Sequence, residues 1–218
     1  MNLANSIPVF KLYGESWHWP TPDLLHCESI QSRSSLYDWS IRAHQHTDLV
    51  QILYIQQGQG EIEIEGVRQP FTDACVQIMP ALCVHGFRFS PGTQGYSLSL
   101  AAPLVAKFEQ QFGRPLQVLS RAVRVPVGDA GAQIHTLFQT LQQEYQADND
   151  ARDMMLHSLL SALMVWLNRQ TSGPDNQYRD NQRFFTPHFI ADMSKDNAAQ
   201  RPCQEAHRIS GKCGQRTD

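Results

Sequence analysis

Residues 39–55 read WSIRAHQHTDLVQILYI, and this stretch decides the fold that we expect. Its two histidines, His44 and His46, are one residue apart, so on a strand their side chains project to the same face. The apolar run 49–55 that follows is typical of a strand. A third histidine, His85, stands at the end of a later apolar run. The pattern therefore predicts short strands that carry three histidines.

The first hundred residues have the pattern of a β protein. Short runs rich in Ile, Val, Phe, Tyr and Trp alternate with Gly, Pro and Asp turns, at a spacing typical of a sandwich or barrel. The predicted strands are 36–43, 50–55, 60–66, 75–79, 86–89 and 96–100. With the glycine turn at 58–60 and the later proline-to-histidine segment, this succession resembles a cupin β-barrel, a double-stranded β-helix.

Residues 101–170 have the pattern of amphipathic helices. A first apolar stripe comprises Ile134, Leu137, Phe138, Leu141 and Tyr145. A second stripe comprises Met155, Leu156, Leu159, Leu160, Leu163, Trp166 and Leu167, and Met154 and Met164 flank it. So wide an apolar surface is either buried within the subunit or shared with a partner. We expect an α+β fold, in which dimerisation helices follow the cupin-like barrel.

The composition limits the class of protein. The chain has 218 residues, of which 41% are hydrophobic, enough for an ordinary core. Its net charge of −3 argues against an exposed basic surface for DNA. No apolar stretch reaches the roughly 18 residues of a membrane span, and no secretion signal opens the chain. The five cysteines form no CxxC pair, which argues against a disulfide framework or structural zinc. We expect a cytoplasmic protein.

The C-terminal part differs in composition from the rest of the chain. Residues 171–176, TSGPDN, are typical of a linker. From residue 191 to 218 only Met193 and Ile209 are candidates for a core, so we expect this tail to be disordered. The predicted organisation is a barrel with an N-terminal arm over 1–100, a helical dimerisation region over 101–170, a linker with a helix remnant over 171–190, and the disordered tail.

Several motifs resemble the AraC-type regulators of aromatic-acid catabolism. They are IPVFKLYGE at 7–15, WPTPD at 19–23, WxIRxHxH at 39–46, QILYIQxG at 51–58 and PxxxxHGFxF at 80–89. The match extends over residues 7–170. The resemblance implies a sensor that binds a small aromatic carboxylic acid, as regulators answering 4-hydroxybenzoate or 4-hydroxyphenylacetate do. It also implies a homodimer, and a regulator rather than an enzyme.

The same resemblance implies a C-terminal DNA-binding region, but the similarity covers only the start of that region. Residues 183–189 are similar to the start of the first helix of the family's helix-turn-helix region, which places recognition helices in the major groove. The similarity then stops at the composition break near residue 190. We therefore expect the helix-turn-helix region to be truncated or out of frame, and DNA to be a partner of the intact family only.

The candidate effector site is built around the histidine pair. Arg42 shares strand parity with His44, so we expect it to point into the barrel and receive a carboxylate. The alternative is that Arg42 pairs with Asp38 at the barrel mouth. Aromatic residues supply the walls for a ring, although Trp39 and Tyr54 have the opposite parity and are alternatively core residues. The predicted effector-binding set is Trp39, Arg42, His44, His46, Gln51, Tyr54, His85 and Phe87.

A metal site is the alternative for the same polar residues. His44, His46 and His85, with Gln51 where metal-binding cupins present glutamate, form a possible ligand set for one divalent transition metal. The alternative function is accordingly a metal-dependent cupin enzyme, of the dioxygenase or isomerase type. The neutral Gln51 and the helices after the barrel favour the sensor instead. No nucleophile, P-loop or dinucleotide motif is present, and we expect neither catalytic residues nor a cofactor.

Overall fold

The computed structural model of the chain describes residues 7–10 and 24–172. The chain divides into two compact units, Met1–Pro174 and Asp175–Asp218, and all described residues belong to the first. The predicted linker, helix remnant and tail, and with them the truncated DNA-binding region, lie outside the described residues. Most of the predicted N-terminal arm lies outside them too.

Ten strands and four helices make up the described part of the chain. The strands are β1 (Val9–Phe10), β2 (Leu25–Ser29), β3 (Ser40–His46), β4 (Leu49–Gln57), β5 (Gly60–Ile64), β6 (Val67–Phe71), β7 (Cys75–Met79), β8 (His85–Phe89), β9 (Gln94–Ala101) and β10 (Val123–Pro126). The helices are α1 (Ile30–Ser34), α2 (Ala102–Phe112), α3 (Gly131–Gln146) and α4 (Arg152–Ser172).

The strands form two five-stranded sheets. Their orders are β1-β3-β8-β5-β6 and β10-β7-β4-β9-β2. All neighbours pair antiparallel except β1 and β3, which run parallel. The two sheets and the helices that follow them confirm the predicted α+β fold, with its cupin-like antiparallel strands.

The structure differs from the predicted strands in identifiable places. The strand predicted from residue 36 begins at Ser40, because Ser35–Tyr37 form a 3-10 turn. Asp38 and Trp39 then reverse the chain, with φ angles of 48° and 58° that an extended strand does not allow. Strands β1, β2, β6 and β10 were not predicted, and β10 lies within the region predicted as helical.

Strand β4 is buried on both faces, which explains its continuous apolar sequence. Seven consecutive residues from its start are buried. Ile52 and Tyr54 belong to the hydrophobic core that the second sheet forms with the helices. Gln51 and Leu53 have the opposite parity and line a cavity on the other face. A strand covered on both sides needs no polar alternation.

Helix α3 packs on the outer face of the second sheet, and α4 packs against α3. Phe138 of α3 is fully buried, and its ring stacks on Tyr54 of β4 at a centroid distance of 4.8 Å. In α4, Met164 is also fully buried in this core, whereas Met154 is 74% exposed. The wide stripe is thus used largely within the subunit. No helix in the described ranges is long and apolar enough to cross a membrane.

The three described cysteines are free thiols in the interior. Cys27, Cys75 and Cys83 are all buried, as expected for small core residues without a disulfide. Burial raises the pKa of Cys27 and of Cys83 to about 12, and that of Cys75 to about 11. These thiols therefore stay protonated, and hence unreactive, at neutral pH.

Candidate functional site

A cavity of about 650 Å³ lies between the inner faces of the two sheets. Its volume falls in the range of small-molecule sites, which is about 300–1,000 Å³. Strands β3, β4, β8 and β9 supply much of its lining, and α1 and the turn after it contribute further residues. The lining residues are Pro8, Ile30, Arg33, Ser34, Tyr37, Asp38, Ser40, Ile41, Arg42, His44, Gln51, Leu53, Phe87, Phe89 and Ser97.

A β-bulge in β3 changes which side chains face this cavity. Ile41 pairs with Phe87 and His44 pairs with His85, so three residues of β3 advance against two of β8. Paired residues share a face, so Ile41 and His44 both point inward. Gly86 lies opposite the bulge, where a Cβ would be only 3.1 Å from the Ala43 nitrogen. The absence of a side chain at Gly86 makes room for the extra residue.

The bulge overturns the parity argument for Arg42. Its side chain is exposed, and the residue borders both the cavity and a groove on the outer face, near Glu61 and Glu63. Strand parity with His44 does not extend across the bulge, because one inserted residue changes the alternation of side chains, but Arg42 still contributes to the lining of the cavity. Arg42 lies at the rim of the cavity.

Arg33 is the cation that sequence reasoning missed. It lies on α1, and the side chain of the N-cap residue Ser29 accepts a hydrogen bond from the Ser32 amide at 3.0 Å. The Arg33 side chain is 20% exposed, lies 3.8 Å from Glu28, and covers the Tyr37 ring at 4.9 Å. The capping serine was the one local signal for this helix, and it did not indicate where the helix packs.

The polar wall of the cavity comes from the second sheet. Gln51 of β4 donates from Nε2 to the Ser97 hydroxyl of β9 at 3.0 Å, and both residues are buried. The Gln51 Oε1 atom is buried without a hydrogen-bond partner among the described residues. A buried acceptor of this kind is costly unless a bound molecule donates to it. Gln51 is therefore placed in the cavity as predicted, and Ser97 joins it.

Two phenylalanines make the aromatic wall. Phe87 and Phe89 of β8 are buried, and their rings stack at 5.6 Å with an angle of 17°. Of the other predicted aromatic residues, Tyr54 lies on the opposite face of β4, in the core with the helices. Trp39 is half-buried in the turn before β3 and does not line the cavity. The structure separates these two from the rest of the predicted set.

The three predicted histidines come together in one cluster. His44, His46 and His85 are buried, and their ligand nitrogens lie within 4.8 Å of one another. The ring centroids of His44 and His85 are 4.4 Å apart. His44 also lines the cavity, so the cluster adjoins it. The HxH spacing brought two of the rings together, and the pairing of β3 with β8 supplied the third.

Burial keeps two of these imidazoles neutral. The pKa of His85 is lowered to about 3, first by desolvation and then by the nearby His44 and His46. The pKa of His44 is also lowered, mainly by desolvation, and the positive charge of Arg33 contributes in the same direction. Because a neutral imidazole presents a lone pair, these side chains are suited to accept hydrogen bonds or bind a cation.

Comparison with known proteins gives one family and a set of distant structures. The sequence model of one protein family, the AraC-like ligand binding domain, matches residues 30–164 of this chain. Apo ToxT from Vibrio cholerae, in a variant form, is 9% identical over 81% of this chain and 70% of that one, with a TM-score of 0.43. ToxT from the O395 strain bound to (E)-4-(8-methylnaphthalen-1-yl)but-3-enoic acid is 8% identical over 81% and 71%, with a TM-score of 0.39. A search of curated protein sequences gives no significant match.

Proposed function

Because this chain belongs to the AraC-like ligand-binding domain family, we propose that it is the effector-sensing part of a transcription regulator whose effector is a small aromatic carboxylic acid. Occupancy of the cavity regulates through differential affinity for two arrangements of the protein, since a ligand that binds both equally shifts nothing. The role is regulatory rather than catalytic.

The position of Arg33 carries this proposal. Its side chain lies mostly buried in the cavity wall, and a guanidinium in a partly desolvated wall favours a carboxylate through charge-assisted hydrogen bonds. Phe87 and Phe89 offer flat apolar faces to a ring, and Gln51 offers an acceptor to a ring hydroxyl. A hydroxylated aromatic acid matches these three kinds of group.

Thermal denaturation tests the proposal directly. A ligand that binds only the folded protein raises its stability by roughly 2.7 kcal/mol at a hundredfold excess over the dissociation constant. We expect 4-hydroxybenzoate, 4-hydroxyphenylacetate or a larger aromatic acid to raise the midpoint by several degrees. The corresponding carboxamides, which keep the ring and lose the charge, are the matched controls. An unmoved midpoint with every acid at millimolar concentration would refute the aromatic-acid proposal.

The homodimer predicted from the sequence is a second part of the proposal. Met154 and Met155 are 74% and 48% exposed at the start of α4, where they form an apolar surface beside the exposed Ser158. Burial of such side chains against a second copy is favourable. The double change Met154→Glu and Met155→Glu should therefore shift the chain from dimer to monomer in sedimentation at tens of micromolar. The double change Gln133→Glu and Gln139→Glu, on exposed positions of α3, controls for added charge, and a monomeric wild type contradicts the proposal.

The proposal for DNA follows the composition of the sequence. Readout of bases requires a recognition helix and cationic contacts to phosphates. Residues 191–218 offer two large apolar side chains to hold such a helix, Met193 and Ile209. In our proposal this chain senses its effector without itself reading a DNA sequence.

A further inference from the structure

We propose that His44, His46 and His85 bind one divalent first-row transition metal ion beside the cavity. Three imidazoles from two paired strands converge there, with their ligand nitrogens within 4.8 Å of one another. In a tetrahedral zinc site the nitrogens lie about 3.4 Å apart, given metal–nitrogen distances of about 2.0–2.1 Å. Small ring rotations close this difference, because all three side chains are already on one face.

Backbone contacts orient two of the rings for binding. The Nδ1 atom of His44 lies 2.8 Å from the Arg42 carbonyl oxygen, and Nδ1 of His85 lies 2.9 Å from the Cys83 carbonyl oxygen. A carbonyl oxygen only accepts, so in each pair Nδ1 carries the proton and donates. In a neutral imidazole the lone pair then resides on Nε2. Metal-binding histidines commonly have this arrangement, in which the second nitrogen is held by a carbonyl.

His85 provides the second, independent observation. Its side chain is 1% exposed, and Nε2 is buried without a hydrogen-bond partner among the described residues. A buried acceptor without a partner destabilises the fold, and native proteins rarely keep one unless it serves a purpose. A bound cation satisfies the lone pair of this atom.

The donor set defines the class of ion. Three neutral nitrogen donors suit Zn²⁺, Fe²⁺, Co²⁺, Ni²⁺ and Cu²⁺, whereas Ca²⁺ and Mg²⁺ require oxygen ligands. Among the described residues, no aspartate or glutamate joins the cluster. Because His44 also lines the cavity, the proposed ion would lie next to a molecule bound there. The inference stands independently of the effector, because it rests on the histidines alone.

Metal titration of the full chain tests this inference. Protein made without a histidine tag is stripped with chelator, incubated with Zn²⁺ or Co²⁺, and passed through gel filtration. We expect about one ion per chain by elemental analysis, and a melting midpoint raised by about 5 °C at saturation. Co²⁺ should also give a visible absorption spectrum typical of nitrogen ligands, and one equivalent of Zn²⁺ should abolish it.

Variants locate the ion within the chain. His46→Gln and His85→Gln should each reduce retained metal at least tenfold and remove the metal-dependent rise in midpoint. His157→Gln is the matched control, since His157 is half-buried on α4 and stacks on Phe108 away from the cluster. A triple variant, His18→Gln, His188→Gln and His207→Gln, tests the histidines outside the described residues and should retain the ion.

Two results overturn the inference. One is a wild-type chain that retains no Zn²⁺, Co²⁺, Ni²⁺ or anaerobically supplied Fe²⁺ and shows no change in midpoint. The other is retention of metal by folded His46→Gln and His85→Gln at the wild-type level. If circular dichroism shows that these variants do not fold, the wild-type Co²⁺ spectrum and the triple variant decide the question. Neither result bears on the aromatic-acid proposal, which the carboxamide comparison tests separately.

Discussion

Replacing Arg33 with alanine is expected to weaken binding of an aromatic carboxylate roughly 10- to 100-fold, whereas Arg42→Ala changes it less than about threefold. A hydrogen bond to a charged group contributes about 1.5–3 kcal/mol, and each 1.4 kcal/mol is tenfold in affinity. Arg33 has this effect because its side chain is only 20% exposed in the cavity wall. Arg42 is exposed at the rim, where solvent and salt screen its charge.

Isothermal titration of the wild type and both variants measures this difference. The carboxamide analogue of the acid should bind wild type and Arg33→Ala alike, because it has no charge for the guanidinium to meet. Arg33→Lys should give intermediate affinity, since an ammonium keeps the positive charge but cannot form the bidentate hydrogen bonds that a guanidinium makes to a carboxylate.

Structural damage at Arg33 requires its own control. Arg33 also contacts Glu28 and the Tyr37 ring, so its loss affects the packing of α1 as well. Glu28→Gln removes the charge of this neighbour while Arg33 stays in place, and it should leave carboxylate binding near the wild-type level. If Arg42→Ala weakens binding as much as Arg33→Ala, the rim residue is the anchor and our assignment of Arg33 is incorrect.

Phe138→Ala is expected to lower the free energy of unfolding by about 3–5 kcal/mol, the usual cost of removing a buried phenylalanine. Phe138 is fully buried, and its ring stacks on Tyr54 at 4.8 Å and on Tyr96 at 6.2 Å. These contacts join α3 to β4 and β9, so truncation leaves a cavity between the helices and the second sheet. Because strands and helices share this core, unfolding should remain one cooperative transition.

Urea denaturation followed by circular dichroism measures the effect. Gln139→Ala is the matched control, because Gln139 is the next residue of α3 and is exposed. A surface change of this kind should alter stability by less than about 0.5 kcal/mol. A loss below about 1 kcal/mol in Phe138→Ala, or two separate transitions in the wild type, would show that α3 is not part of the core with the sheet.

Much of the fold could be predicted from local patterns. Alternation, apolar runs and turn residues located six strands of the two sheets to within a few residues, and the apolar stripes located α3 and α4. These signals work because each strand or helix must match its own side-chain period to the face that it buries. The strands β1, β2, β6 and β10 were not predicted, since they are short and their pairing depends on distant partners.

The candidate site was predictable only in part. The spacing of His44 and His46 indicated a shared face, and the later His85 segment indicated a neighbouring strand, which the structure pairs with the first. Phe87 and Gln51, which belong to the predicted effector-binding set, also line the cavity. Tyr54 lies in the core with the helices instead, because β4 is covered on both faces.

By itself the sequence determined the class of fold, the strands that carry the three histidines, and the helices that follow them. Those properties depend on neighbours along the chain. Only the tertiary structure decided that Arg33 of α1 joins Arg42 among the residues that line the cavity, and that Met164 is buried while Met154 is exposed. A bulge forms where Gly86 of another strand leaves space, and a helix face is buried where a sheet meets it, so both depend on pairings between distant residues.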